Sequence, residues 1–219
     1  ALYAHGKYEG AKKIYAAFFK RYAGAPPANV KAFYLDSAYK FAQMLLLLGD
    51  LDGAADAYKA ALKAKPEKGV QRQMSSDLAE ILLRLAEASK GEKMNAYLKE
   101  ADKIADDLLW VRDLWFGKAI VFKAHGMMLK GDVEGAMQIF DDYKSDLIDI
   151  DKNLKEIALQ EGLNFDKFSP VAQCRFLLGK VLHEQAKKQI EAGETSRASS
   201  MLLGGKNAKG KKVLGAMQH

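Results

Sequence analysis

The side chains of this chain that could bear chemistry are few and dispersed. His5, His125, His183 and His219 never stand three or four residues from one another, the spacing by which one helix face offers two imidazoles to zinc, so no helical metal motif is spelled out. The single cysteine, Cys174, lacks a partner for an intramolecular disulfide and lies in the apolar run ending at Leu178, which predicts a buried, inert thiol. Asp149, Asp151 and Asn153 begin like a calcium loop, but Leu154 occupies the place that needs glycine and Gln160 the place that needs a bidentate glutamate. The acids from Asp141 to Asp151 alternate with Leu147, Ile148 and Ile150, the pattern of a solvated face on a long helix. The segment from Gly205 to Lys212 has the glycine and lysine spacing of a phosphate-binding loop. Lys212 stands where that loop needs a hydroxyl for magnesium, and the surroundings are helical; the segment reads as a mobile basic connection within the last helix pair. Trp110 and Trp115, beside Leu109, Val111 and Leu114, read as an apolar corner between repeats rather than as stacking platforms for bases. No acid, base and nucleophile converge in this set, so the chain reads as non-enzymatic, with no cofactor and no metal.

The elements that must position these residues announce themselves by a rhythm. Five times a glycine is followed five residues later by an alanine: Gly6 and Ala11, Gly49 and Ala54, Gly91 and Ala96, Gly131 and Ala136, Gly193 and Ala198. The glycine-to-glycine steps are 43, 42, 40 and 62 residues. A period of this size predicts a solenoid of helix pairs, each hiding its apolar face only against a neighbour. Apolar periodicity, proline and glycine predict helices over 5–22, 28–48, 51–64, 74–89, 94–109, 111–129, 133–160 and 170–192, with a last one starting near Lys209. These group as pairs over about 1–25 (truncated), 28–66, 70–109, 111–160 and 170–219, one all-α array along residues 1–219. In the pair containing Gly131, Tyr143 and Ile148 hold places where a small residue and a proline would end a helix, so that helix is expected to run on.

Around Gly49 the pattern becomes specific. Ala42, Leu45, Gly49, Ala54, Tyr58, Ala61 and Pro66 follow the small, large, turn, small, aromatic, small and terminating positions of one helix pair, and in this the chain resembles the tetratricopeptide repeat family. Ala124, Met127, Ala136 and Phe140 repeat part of the pattern, as do Ala11 with Tyr15 and Leu178 with Gly179 and Leu182. The spacing exceeds the family's period of about 34 residues, and Glu100 stands where a large apolar residue belongs. The resemblance implies a right-handed α-α superhelix, a tetratricopeptide-like solenoid of antiparallel helix pairs whose first helices line a concave groove. Carried onto this chain, the groove positions are Asp36, Tyr39, Lys40, Gln43, Leu46 and Leu47, then Lys118, Val121, Phe122, His125, Met128 and Leu129, then Gln173, Phe176, Leu177, Lys180, His183 and Glu184. Leu46, Leu47 and Leu129 are expected to pack rather than bind. The rest suits a protein or peptide ligand, Lys40, Lys118 and Lys180 meeting acidic groups. The implied function is a protein-protein interaction scaffold. The alternative is a structural array whose main contact is self-association or docking to the rest of a parent protein.

Charge and hydropathy set bounds on the partner. The formal net charge is +6, of which Lys206, Lys209, Lys211 and Lys212 supply four, leaving too little elsewhere for a surface that tracks phosphates; nucleic acid is disfavoured. The richest apolar run, Met44 to Leu48, stops at Gly49 and Asp50, so no membrane span is expected. The first repeat lacks its first helix, and both ends read as cuts in a longer parent. Long repeats and a lone thiol fit a bacterial protein of the cytoplasm or of the envelope and do not choose between them.

Overall fold

A computed structural model describes residues 5–22, 26–162, 164–165, 169–206 and 212–218. The chain is all-α and divides into two compact units, Ala1–Trp110 and Val111–His219. The first unit holds α1 (Tyr8–Tyr22), a 3-10 turn (Ala28–Val30), α2 (Lys31–Leu47), α3 (Leu51–Lys63), α4 (Lys68–Glu87) and α5 (Gly91–Leu108). Each of these helices packs on the next: α1 on α2, α2 on α3, α3 on α4, α4 on α5. Aromatic rings close the first junction, Phe19 stacking on Phe41 at 5.2 Å and tilting onto Tyr34 at 4.9 Å. Small residues close the second, where Ala42, Ala54 and Ala61 are fully buried and bring α2 and α3 together around Tyr58.

The second unit holds α6 (Leu114–Leu129), α7 (Val133–Asp142), α8 (Lys144–Glu161), α9 (Pro170–Glu191) and α10 (Thr195–Leu203). A two-residue antiparallel ladder of Gly205–Lys206 with Lys212–Val213 and a 3-10 turn at Ala216–Gln218 follow. Here α6 is covered by α7, α8 and α9, and α9 carries α10.

The glycine rhythm has a conformational basis. Gly6, Gly49, Gly91, Gly131 and Gly193 all have φ between 60° and 84°, a region in which a Cβ collides with the carbonyl that follows. At three of them the same helix stop recurs. The Gly49 N–H donates to Leu46 and the Asp50 N–H to Leu45; Gly131 and Asp132 donate to Met128 and Met127, and Gly193 and Glu194 to Ile190 and Gln189. These bonds satisfy carbonyls that the ending helix would otherwise orphan. The acid after the glycine then starts the next helix: Asp50 Oδ1 accepts the Gly53 N–H at 2.9 Å and Asp132 Oδ1 the Gly135 N–H at 2.8 Å, caps worth about 1 kcal/mol each. A Cβ on Gly53 would lie 2.7 Å from Asp50 Oδ2, and one on Gly135 2.2 Å from Asp132 Oδ2, so the second glycine makes room for the cap.

Four expectations are corrected. The helix expected over 133–160 is two, α7 and α8, which meet at Tyr143; its ring packs edge-on against Phe116 at 5.7 Å, and the bend lets Leu147 and Ile150 be buried. The helix expected near Lys209 begins instead at Thr195, directly after the Gly193 stop, because Ala198 finds burial against α9. Trp110 forms no apolar corner, being 85% exposed. At Gly91 the helix stop is absent: α4 ends at Glu87, Gly91 is itself the first residue of α5, and Ala96 is exposed. The anomalous Glu100 of that copy pairs with Lys59 at 2.8 Å. Lys209 and Lys211 of the expected basic connection lie outside the described residues.

Candidate functional site

In the first unit, α2 and α4 flank a cleft of about 150 Å³. From α2 come Tyr39, Gln43 and Leu46, and from α4 Asp77, Glu80, Ile81 and Arg84, with Tyr58 of α3 behind. Tyr58 is buried and donates to Asp77 Oδ2 at 3.2 Å. Its burial, with the charges of Asp77 and Glu80 and the nearby Tyr39 hydroxyl adding, pushes the Tyr58 hydroxyl well above the ordinary phenol range, so it stays protonated as a donor. The Tyr39 hydroxyl accepts from Gln73 Nε2 at 3.0 Å, and its ring meets Tyr58 edge-on at 6.1 Å. Glu80 is held by Arg84 at 2.9 Å. The cleft thus offers two tyrosine rings, an amide and charges already paired, a surface that can hydrogen-bond a peptide and contact its side chains.

Of the positions read as ligand-facing, Tyr39 and Gln43 line this cleft, while Asp36 and Lys40 form an exposed ion pair with each other at 2.7 Å. In the second unit, Val121, Phe122 and Met128 are buried and present no groove. The reason is that α6 is apolar almost all round and is enclosed by three helices. Lys118 lies over the Trp115 ring at 5.6 Å, and His125 is half-buried. On α9, Gln173, Phe176, Lys180 and His183 fall along one stripe; Phe176 is 70% exposed, and His183 Nδ1 lies 3.6 Å from Glu184 Oε1. Lys187, hydrogen-bonded to Glu184 at 2.9 Å, holds that carboxyl below its usual range, with His183 adding.

The residues missed from sequence are Gln73, Asp77, Glu80 and Arg84 of α4. Their spacing of four, three and four residues puts them on one helix face opposite Leu78, Leu82 and Leu85, and that polar stripe was the available signal. Cys174 is buried, and burial with the Asp151 charge second pushes its thiol up to about 12, leaving no thiolate for chemistry. Among the described residues no group of three or more His, Cys, Asp and Glu is placed to hold a metal ion, and no helix is long and apolar enough to cross a membrane. No family model, no curated protein and no solved structure matches the chain.

Proposed function

We propose that this chain is a non-enzymatic interaction scaffold that binds a protein or peptide in a helix-lined groove, its helix pairs stacking within each unit in the right-handed manner of tetratricopeptide repeats. The observation that carries the reading is the α2–α4 cleft, where Tyr39 and Gln43 of one first helix face Asp77, Glu80 and Arg84 of the next. Packing of each helix on its chain neighbour in the first unit and the recurrent helix stop at Gly49, Gly131 and Gly193 support the repeat reading. Binding is favoured over catalysis because the Asp77 and Glu80 carboxylates are engaged by Tyr58 and Arg84, so neither is poised as a base.

A photo-crosslinker placed at position 43, with a control at Asp102 on the exposed face of α5, tests the groove in extract from the source cells. Position 43 should capture a defined partner that position 102 does not, and Tyr39→Ala with Glu80→Lys should abolish that capture while the helical circular dichroism is unchanged. Equal capture from both positions would remove the cleft as the binding surface.

A further inference from the structure

The eighth residue after each repeat glycine falls in a second helix, and its burial differs from copy to copy. After Gly49 it is Ala57 of α3, 5% exposed, and after Gly131 it is Ile139 of α7, 8% exposed. After Gly193 it is Met201 of α10, half-buried, and after Gly91, where the helix stop is absent, it is the exposed Lys99. After Gly6 it is Ile14 of α1, a large apolar residue that is 62% exposed at a position the regular copies cover.

The cause is what packs around each helix. α3 lies between α2 and α4, and α7 among α6, α8 and α9, whereas α1 packs on α2. Tyr15 and Phe19 of α1 turn to α2, where both rings meet Phe41, and Ile14 stands about 100° round the helix from Tyr15. α1 meets α2 as α3 meets α4, a second helix against the first helix that follows it. The uncovered side of α1 is therefore the side that α2 covers on α3. Gly10, Ile14 and Ala17 run along it at helical spacing, with Lys7 at one end and Arg21 at the other. Lys13 and Lys20 are exposed beside this stripe, and Glu9 is the only acid of α1.

We propose that this stripe docks a helix of a partner protein, acidic along its flanks, which takes on α1 the place that α2 takes on α3. The first helices show what such an occupant needs. α2, α6 and α9, which pack on α3, α7 and α10, each carry a small residue three positions before a large apolar one: Ala42 and Leu45, Ala124 and Met127, Gly179 and Leu182. The small residue lets two backbones approach, and the large one fills the space beside Ile14. Carboxylates of the occupant meet Lys7 and Arg21, which lie about four turns or 21 Å apart along the helix, and the cations around the stripe select for acidity. This site is separate from the α2–α4 cleft and does not depend on it.

Fluorescence anisotropy on the full chain tests this with a labelled peptide of about five helical turns, in which alanine and, three residues later, leucine recur along one face and glutamate fills the rest. One counterpart has lysine for glutamate, and another has proline at its centre. The acidic helix should bind and neither counterpart should. Ile14→Glu should weaken it about tenfold or more, as should Lys7→Glu with Arg21→Glu. Ile190→Glu on α9, at a comparable exposure of 51%, should leave it unchanged, and so should Tyr39→Ala with Glu80→Lys in the α2–α4 cleft. Because Lys7, Ile14 and Arg21 are exposed, their replacement should spare the helical circular dichroism. Absence of binding by the acidic helix, equal binding of either counterpart, affinity retained by either α1 variant, or an equal loss with either control would each overturn the site.

Discussion

Asp151 reaches from α8 to the start of α9, where its Oδ2 accepts the Ser169 hydroxyl at 2.6 Å while Ser169 Oγ accepts the Ala172 N–H at 3.0 Å. Burial raises the carboxyl above its ordinary range, against the pull of the Ser169 hydrogen bond and the Arg175 charge. A carboxyl that holds its proton more tightly folded than unfolded favours the fold in acid. That contribution is complete below the unfolded value of about 3.9 and is lost as pH rises through the higher folded value. Asp151→Asn keeps an oxygen for Ser169 and removes the titration, so urea unfolding from acid to neutral pH should show the variant gaining stability relative to the native chain as pH rises. A stability difference that stays constant with pH would refute the assignment. At this scale the sequence was informative where one residue type solves one problem, as Pro170 does in the first turn of α9 and as the repeat glycines do at positive φ. It was silent on Asp151, whose environment is made by a residue 18 positions away.

Between elements of the second unit, α6 and α9 approach one another closely at Gly117. A Cβ added to Gly117 would fall 2.7 Å from Pro170 Cγ and 3.0 Å from its Cβ, inside the distance that ring and backbone can share. Gly117→Ala should therefore push α9 off α6 and cost about 1–3 kcal/mol, read as a lower urea midpoint, whereas Gly69→Ala in α4, with nothing within 4 Å, should cost none. An unchanged midpoint for Gly117→Ala would show that the two helices can separate freely. Helices α2 and α3 were legible because proline or glycine punctuates them, whereas α4, expected from 74, begins at Lys68, the polar residues of its first turn carrying no apolar stripe to mark them. The break at Tyr143 was not legible, since no proline or glycine marks it and the burial of Leu147 that rewards it is tertiary. The same holds for α6: its groove residues were assigned by analogy with helices that have a polar face, which this one lacks. The polar stripe of α4 was visible in the sequence and was passed over because its repeat copy, at Gly91, is the weakest.

At the scale of the whole molecule, the competing readings are a scaffold for others and an array that binds itself. The exposed large apolar residues are spread over several elements of each unit: among them Ile14 on α1, Phe33 and Leu47 on α2 and Trp110 beyond α5 in the first, and Ile148, Ile157 and Leu159 on α8, Phe176 and Ile190 on α9, Leu203 on α10 and Met217 after it in the second. Single exposed apolar residues are ordinary on monomers, and the net charge of +6 opposes self-association. Light scattering should give one mass at all concentrations, and a mass that climbs with concentration would turn the reading to self-assembly. The helix stop at Gly49, Gly131 and Gly193 bears on how such a molecule can vary. It follows helices of 17, 16 and 22 residues without changing its hydrogen bonds, so the elbow is encoded in a short word and is indifferent to the length of the arm that enters it. Arms can therefore be lengthened or shortened by inheritance while the joint stays fixed, and reach becomes a property that evolution can adjust apart from angle.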